Sequence, residues 1–420
     1  MNYSSANAAV PTDAKVVGVG FITLYTLAYM GTWLALLCPV LVTLALKINS
    51  LVGIDNAPQS MALVAGVGAL LAMFGNPFFG KMSDRTTSKL GMRRPWMVIG
   101  FIGGAIGIYI VATATSIMIV LVGWCIAQLM FNCVLAVQVA VLSDHIPPHQ
   151  RGIVSGILGI CLPAALIIGS YLVNLFSPNQ VMMFMMPTAV AGVLVLLFAL
   201  VLKDKCLDPG NPLPPFSLRE FASTFYVNPR KSPDFTWAFV SRFLFIMAYA
   251  YLATYQPFYL VAHIHTAEAD IPGQIFVGTL LNSGVMIIAS LLGGVLSDKL
   301  KRRKMFVFVA SLIYGLALVV LALASSYENY LIGMMIAGFG FGVYLAVDLA
   351  LVADVLPNPD DAAKDLGVFN IASALPQSVA PAIAPAILAV GSGSYPFLFA
   401  VAGGFSVLGA LAILPVRRVK

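Results

Sequence analysis

Two residues of this 420-residue chain stand where charge is least at home. Of its 17 acidic residues only Asp348 lies well inside an apolar stretch, and of its 23 lysines and arginines only Arg242 does. A carboxylate and a guanidinium at that depth can handle a proton. Burial favours the protonated form of a carboxyl group and a neighbouring guanidinium favours the charged form, so a rearrangement that parts them loads a proton. A plainer reading is a static ion pair pinning two helices together. Asp348 stands six residues before Asp354, about 9 Å along a helix, and Arg242 stands about 10 Å past the start of its own stretch, so the two are predicted to share a depth. Charges held there usually face a partner or a water-filled cavity.

Uncharged polar and aromatic residues in the same apolar stretches supply a second kind of chemistry. Gln138 offers both a donor and an acceptor, as a hydroxyl-rich ligand needs. Tyr29, Trp33, Asn132, Tyr249, Tyr255, Gln256, Asn282, Asn370 and Gln377 complete the candidate substrate set. Trp33 and the tyrosines can stack on a sugar ring and bind its polar edges. For each residue taken alone, interhelical hydrogen bonding or packing is the competing role. His263 and His265 beside Glu268 and Asp270 form only an isolated H-x-H, and they are read, with His145 and His149, as exposed histidines rather than ligands. The sequence holds no Walker A loop, no metal-ligand cluster and no nucleophile with a plausible base, so no enzyme activity, cofactor or metal is expected, and any driving force comes from an ion or substrate gradient.

The elements that position these residues are membrane helices. With 60% hydrophobic and 10% charged residues and a mean hydropathy of +0.95, the chain is no soluble globule. Twelve stretches are long enough to span a bilayer, at approximately 16 to 46, 57 to 79, 95 to 115, 117 to 142, 152 to 176, 181 to 202, 235 to 262, 273 to 296, 305 to 324, 329 to 353, 367 to 390 and 395 to 415. The basic clusters Lys81 to Arg94, Lys203 to Lys231, Lys299 to Lys304 and Arg417 to Lys420 fall on one face, and Lys47 alone lies opposite. The net charge of +6 is therefore a topology signal rather than a nucleic-acid footprint, and both termini are expected in the cytoplasm, with the chain in the plasma or inner membrane. The start of the chain has no basic n-region, and its first apolar stretch is too long for a cleaved signal, so that stretch is read as the first helix. The five cysteines lie in spans or on the basic side, where structural disulfides are not expected.

The chain is written twice. Gly80, Ser83, Asp84 and Arg85 return 214 positions later as Gly294, Ser297, Asp298 and Lys299, and the run Gly91, Arg93, Arg94, Pro95 that follows the first copy has its basic counterpart in Arg302, Arg303, Lys304 after the second. Leu135-Ala136-Val137-Gln138 with Asp144 and Pro147 returns at an offset of 210 as Leu345-Ala346-Val347-Asp348 with Asp354 and Pro357. The prediction is an all-α membrane protein of two pseudo-symmetric six-helix bundles, 1–202 and 235–420, joined by a proline-rich cytoplasmic linker, 203–234. Within the linker Leu218, Phe221, Ala222 and Phe225 share a helical face opposite Arg219 and Glu220, as in a short surface helix, with an irregular loop as the alternative. Pro376, Pro381 and Pro385 in span eleven point to a flexible helix whose freed carbonyls need partners. Gly100, Gly103, Gly104 and Gly107 read as close-packing positions.

These motifs resemble the major facilitator superfamily over essentially the whole chain. Asn76-Pro77, Gly80, Ser83-Asp84-Arg85-Thr86 and Gly91-Met92-Arg93-Arg94-Pro95-Trp96 resemble the glycoside-pentoside-hexuronide cation symporters and the sucrose-proton symporters. Trp33-Leu34-Ala35-Leu36-Leu37-Cys38-Pro39 is similar to a run in the sucrose group. The acidic residues that melibiose-type sodium symporters place in helix two are missing from 57 to 79, and the G-P-x-x-G pattern of antiporters is not matched around Pro163. The resemblance implies alternating access between the bundles, with an inner gate drawn from Gly80, Asp84, Arg85, Arg93, Arg94, Asp144, Arg151, Gly294, Asp298, Lys299 and Asp354. Gly80 and Gly294 are expected to let helix ends approach. Asp84 or Asp298 is expected to meet a helix N-terminus, and Arg85 and the following basic residues to pair with Asp144 or Asp354. The leading expectation is proton-coupled import of a sugar or glycoside by a monomer in contact with lipid. The alternatives are a proton-coupled exporter of amphipathic metabolites or drugs and, more remotely, a non-transporting membrane sensor.

Overall fold

The computed structural model describes residues 17–206, 232–355 and 362–417. The segment 207–231, with the expected surface helix of the linker, lies outside the described residues, as do the side chains of Asp298 and Asp354. Twelve helices long and apolar enough to cross a membrane follow one another. They are α1 (Val19–Val52), α2 (Ala57–Asp84), α3 (Arg94–Thr113), α4 (Ile117–His145), α5 (Pro148–Leu175), α6 (Gln180–Val201), α7 (Pro233–Ala262), α8 (Ile271–Leu300), α9 (Arg303–Leu323), α10 (Tyr327–Val355), α11 (Ala362–Val390) and α12 (Tyr395–Ile413). The chain is a multi-pass integral membrane protein. The end that carries the basic loops is taken as the inner one.

Local chemistry sets the helix ends. Proline opens α2, α3, α5, α7, α8 and α12 within their first two positions, where its missing N–H loses no intrahelical bond. Ser116, Asn179 and Ser394 cap α4, α6 and α12 by accepting from Ile119, Met182 and Phe397 amides. The first helix runs six residues past its expected end at 46. Lys47, which stops the hydropathy pattern, is buried and donates through Nζ to the Ala112 carbonyl at 3.1 Å, at the end of α3. Inside α1, Pro39–Thr43 form one π-helical turn, an interruption often found at functional sites.

The packing repeats as the sequence does. In the first half α1 lies on α5 and α6, α4 on α2 and α3, and α3 on α6. In the second half α7 lies on α11 and α12, α10 on α8 and α9, and α9 on α12. Across the junction α2 packs on α11 and α5 on α8, again a symmetric pair. The glycines of α3 serve as expected: a Cβ at Gly107 would stand 2.6 Å from the Ala127 nitrogen, and one at Gly100 would stand 2.9 Å from the Met130 carbonyl oxygen. Gly80 and Gly294 differ from expectation. Among the described residues nothing lies within 4 Å of a Cβ built on Gly80, and only Ala346 at 3.8 Å meets one on Gly294, so neither marks a tight crossing between described parts of the helices.

Span eleven remains one helix around its three prolines. Pro385 has no N–H to give the Pro381 carbonyl four residues earlier. Tyr255 on α7 supplies the missing donor: its hydroxyl lies 3.2 Å from that oxygen and 3.5 Å from the Pro58 carbonyl on α2. One buried hydroxyl thereby ties α7, α11 and the opposite bundle together.

Candidate functional site

Arg242 and Asp348 meet. The Arg242 Nη1 lies 2.5 Å from Asp348 Oδ2, its Nε donates to Ser373 Oγ at 2.6 Å, and its guanidinium carbon sits 5.0 Å from the Phe369 ring centre. The pair thus joins α7, α10 and α11. The side chains are 15% and 7% exposed, so the pair is largely buried. Asn370 and Gln377 lie on the Ser373 face of α11 and are exposed.

Above the pair comes an aromatic layer. Tyr344, one turn along α10 from Asp348, stacks on Phe245 with ring centres 3.7 Å apart and planes 10° apart. Phe245 lies 5.1 Å from Tyr314, and Tyr249 stacks on Phe341 at 4.7 Å. The Tyr314 hydroxyl is buried without a hydrogen-bond partner, and the Tyr344 hydroxyl lies beside the Asp348 carboxylate. An unpartnered hydroxyl is expensive away from water, and that of Tyr314 belongs to a residue that also lines the cavity next to it.

Beyond this layer lies a small cavity, partly open at its mouth. Leu41 of the π turn, Leu162 and Leu166 of α5, Leu252, Met286, Met334 and Phe341 give it a mainly apolar wall. Tyr249, Gln256, Thr279, Asn282 and Tyr314 supply its polar points. Close helix approach fixes two of these. A Cβ on Gly338 or Gly342 of α10 would collide with the Asn282 or Met286 carbonyl of α8. That contact brings the Met334 carbonyl to Asn282 Nδ2 at 2.8 Å. One of the two Asn282 N–H groups is thereby used, and Oδ1 is the acceptor the side chain offers. Gln256 Nε2 is engaged in the same way by the Tyr330 hydroxyl. Thr279 Oγ1 is buried without a partner.

Of the expected substrate set, Tyr249, Gln256 and Asn282 line this cavity. Tyr255 stands elsewhere, because the proline-freed carbonyl claims its hydroxyl. Asn132 turns back on its own helix, donating to the Gln128 carbonyl at 2.8 Å. Gln138 is fully buried with both side-chain atoms unpartnered, while its carbonyl accepts from the Tyr25 hydroxyl at 2.8 Å. Tyr29 and Trp33 pack edge to face at 6.2 Å on α1. Ser373 and Tyr344 stand at the ion pair and Thr279 and Tyr314 at the cavity, four positions that the sequence reading did not single out. Spacing offered a signal only for Tyr344, one helical turn from the lone acid.

At the inner end of the first bundle the basic signature is a compact hub. Arg93 is 3% exposed, pairs with Asp84 at 2.6 Å and Asp144 at 2.9 Å, and donates to Ser83 Oγ. Of Arg85 and the basic residues that follow it, Arg93 is the one that pairs with Asp144, as expected of that group. Asp84 does not cap a helix; Asp204 does, accepting from the Arg93 and Arg94 amides at 2.5 and 2.9 Å. Gly91, at φ +100°, leaves room for that carboxylate, which any Cβ there would strike. Arg94 reaches the Leu200 carbonyl at 3.4 Å, and Arg151 donates to the Ile146 and Ser143 carbonyls at 2.9 Å each, closing the end of α4. Lys299 is exposed at the inner end of α8.

Comparison with known proteins decides the family. The Major Facilitator Superfamily profile matches residues 21–288 and 270–420. The chain belongs to the major facilitator superfamily. Three solved structures share its fold. A bacterial homologue of the human lysosomal transporter Spinster, in an inward-facing and occupied conformation, gives a TM-score of 0.72 at 14% identity over 95% of this chain and 96% of that one. The nucleoside transporter NupG gives 0.73 at 13% identity over 94% and 98%. The peptide transporter POT in complex with alafosfalin gives 0.74 at 15% over 96% of each. No curated protein sequence matches the chain significantly. As a member of this superfamily the protein is a secondary active small-molecule transporter, not an enzyme.

Proposed function

We propose that this major facilitator protein couples proton movement to transport of an amphipathic glycoside, a molecule with a flat apolar part and a few hydroxyl groups. The observation that supports the substrate class is the cavity wall. Apolar residues make up most of it, and its amide groups present acceptors. A free sugar would turn several hydroxyls onto leucine and methionine, each leaving water without a replacement bond. A glycoside with an aryl or alkyl part places that part against Leu41, Leu162 and Met286 and its hydroxyls toward Asn282, Gln256 and Thr279. The expected resemblance to the glycoside-pentoside-hexuronide and sucrose symporters agrees with this class.

Asp348 is the proton carrier of the proposal and Arg242 its counter-charge. The pair sits on the inner side of the aromatic layer, with Tyr344 stacked between it and the cavity. A ligand that shifts Phe341 or Tyr249 moves the ring stack that ends at Tyr344, one turn from the carboxylate. In the reading we favour, substrate occupancy and the closeness of the ion pair are linked through that stack. Both termini face the cytoplasm and the plasma or inner membrane is the site of action.

Proteoliposomes carrying the purified protein test this with phenyl β-glucoside and free glucose under an imposed pH gradient. Gradient-driven accumulation of the aryl glycoside, with little of the free sugar, is the expected result. Efflux of amphipathic cations against proton entry would establish the exporter reading instead, which the leucine and methionine wall also suits. Indifference to the gradient for every substrate moved would remove proton coupling.

A further inference from the structure

The outer half of the molecule carries a link between the bundles that the substrate cavity does not explain. Asn49, near the end of α1, donates through Nδ2 to Glu268 Oε1 at 2.5 Å. Glu268 belongs to the single 3-10 turn Glu268–Asp270 between α7 and α8, so the bond crosses from one bundle to the other. Asn49 is 9% exposed and its Oδ1 is buried with no partner, while Glu268 is exposed. The neighbours of Asn49 show how the link bears load. Lys47, half a turn earlier, is tied to the Ala112 carbonyl of α3, so this end of α1 moves with its own bundle. The outer part of α1, with its π turn, packs on α7 as well as on α2, α5 and α6 of its own bundle, whereas the inner part, Val19–Cys38, packs chiefly on α5 and α6. Leu41 of that π turn walls the cavity.

We propose that Asn49 and Glu268 form the outer latch of the transporter, a hydrogen bond between bundles that holds the cavity shut on the outer side and must break before it opens there. Lys47 transmits the first bundle's motion to the latch, and Leu41 leaves the cavity wall when the latch parts. The orphaned Asn49 Oδ1 gives the latch its chemical signature. An aspartate at position 49 would face Glu268 with a second carboxylate and drive the bundles apart more strongly than an alanine, which merely removes the donor.

Hydrogen–deuterium exchange of the full-length protein in lipid nanodiscs reads this without any substrate. A hydrogen bond to a carboxylate is worth about tenfold in an opening equilibrium. Asn49→Ala and Glu268→Ala are each expected to speed exchange roughly tenfold, by that principle, in both outer segments, 44–52 and 263–272. The double variant should match either single one, because both remove the same bond. Asn49→Asp should exceed Asn49→Ala, and adding Glu268→Gln, which restores a donor opposite an acceptor, should return exchange toward the native rate. Exchange in α3 and α4 should stay unchanged in all of these, which separates latch release from unfolding. Faster exchange confined to the mutated segment, additive singles, or failure of Glu268→Gln to rescue Asn49→Asp would overturn the latch. Because the assay needs no transported molecule, its result stands apart from the fate of the glycoside reading.

Discussion

The two six-helix halves share a packing plan and differ in where they keep their polar groups. At the repeat-equivalent positions of α4 and α10 stand Gln138 and Asp348. The first is a fully buried amide whose side chain meets no partner. The second is a carboxylate held by Arg242. The first bundle gathers its charge at the inner helix ends, around Arg93, while the second carries charge into the membrane and supplies most of the cavity wall. What the duplication kept is structural. Arg94 reaches the last turn of α6 through the Leu200 carbonyl, and Lys304, its counterpart at the same offset of 210, reaches Val416 beyond α12 at 2.8 Å. The repeat copied the scaffold, while the membrane-depth ion pair and most of the cavity wall stand in one half.

The largest effect expected from breaking this asymmetry is at Arg242. Arg242→Met leaves Asp348 without its counter-charge at 5% exposure. Removing one partner of a buried pair costs about 3–5 kcal/mol, less whatever protonation of the carboxyl recovers. The melting temperature of the purified protein should fall by several degrees, and the double change Arg242→Met with Asp348→Leu should restore most of it while leaving transport dead. Asp348→Asn separates coupling from packing. Accumulation should be lost while exchange of substrate down its gradient persists. Accumulation that survives with its pH dependence unaltered would make the pair a static pin between α7 and α10.

The matching change in the first half is Arg93→Ala. It removes two ion pairs and the bond to Ser83, but Asp84 is 55% exposed and Asp144 22% exposed on their side chains, so water takes up much of what is lost. The expected penalty is about 1–3 kcal/mol, smaller than at Arg242 and expressed in the distribution between conformations as well as in stability. Limited proteolysis at the inner loops measures it. A loss as large as that of Arg242→Met would mean that the two halves bear polar load equally.

How far these contrasts were legible in the sequence follows from the physics of the membrane. Charge stands out against an apolar background, so Asp348, Arg242, the basic loops and the repeat could all be read directly. The cavity could not, because Leu41, Leu162, Met286 and Met334 are ordinary residues of apolar spans and only the tertiary fold turns them toward one space. Amides were ambiguous for the same reason. Gln256 and Asn282 reached the cavity while Gln138 and Asn132 did not, and nothing in their flanking residues distinguishes them. Asp204 sat among the basic residues of the linker entrance, where its role as the cap of α3 depends on Gly91 being close in space. Tyr255 was chosen for its hydroxyl, and that hydroxyl is spent on a carbonyl freed by Pro385, a consequence that emerges only once α7 and α11 are side by side.

Smallest and most informative is Gln138→Leu. The unpartnered amide of Gln138 gives up its water without regaining a bond, at a penalty of about 1–3 kcal/mol, and an apolar side chain of similar size avoids that loss. The substitution should therefore leave stability unchanged or raise it slightly, by up to about that amount, opposite in sign to any change at Asp348. Thermal unfolding in detergent, compared with Gln138→Asn as a size control, reads the difference. A clear fall in melting temperature would show that the amide finds a partner in another step of the transport cycle, and the first half would then hold a polar contact at the place where the second half holds its ion pair. Unchanged transport together with higher stability would mean that only Asp348, of the two equivalent positions, takes part in the cycle.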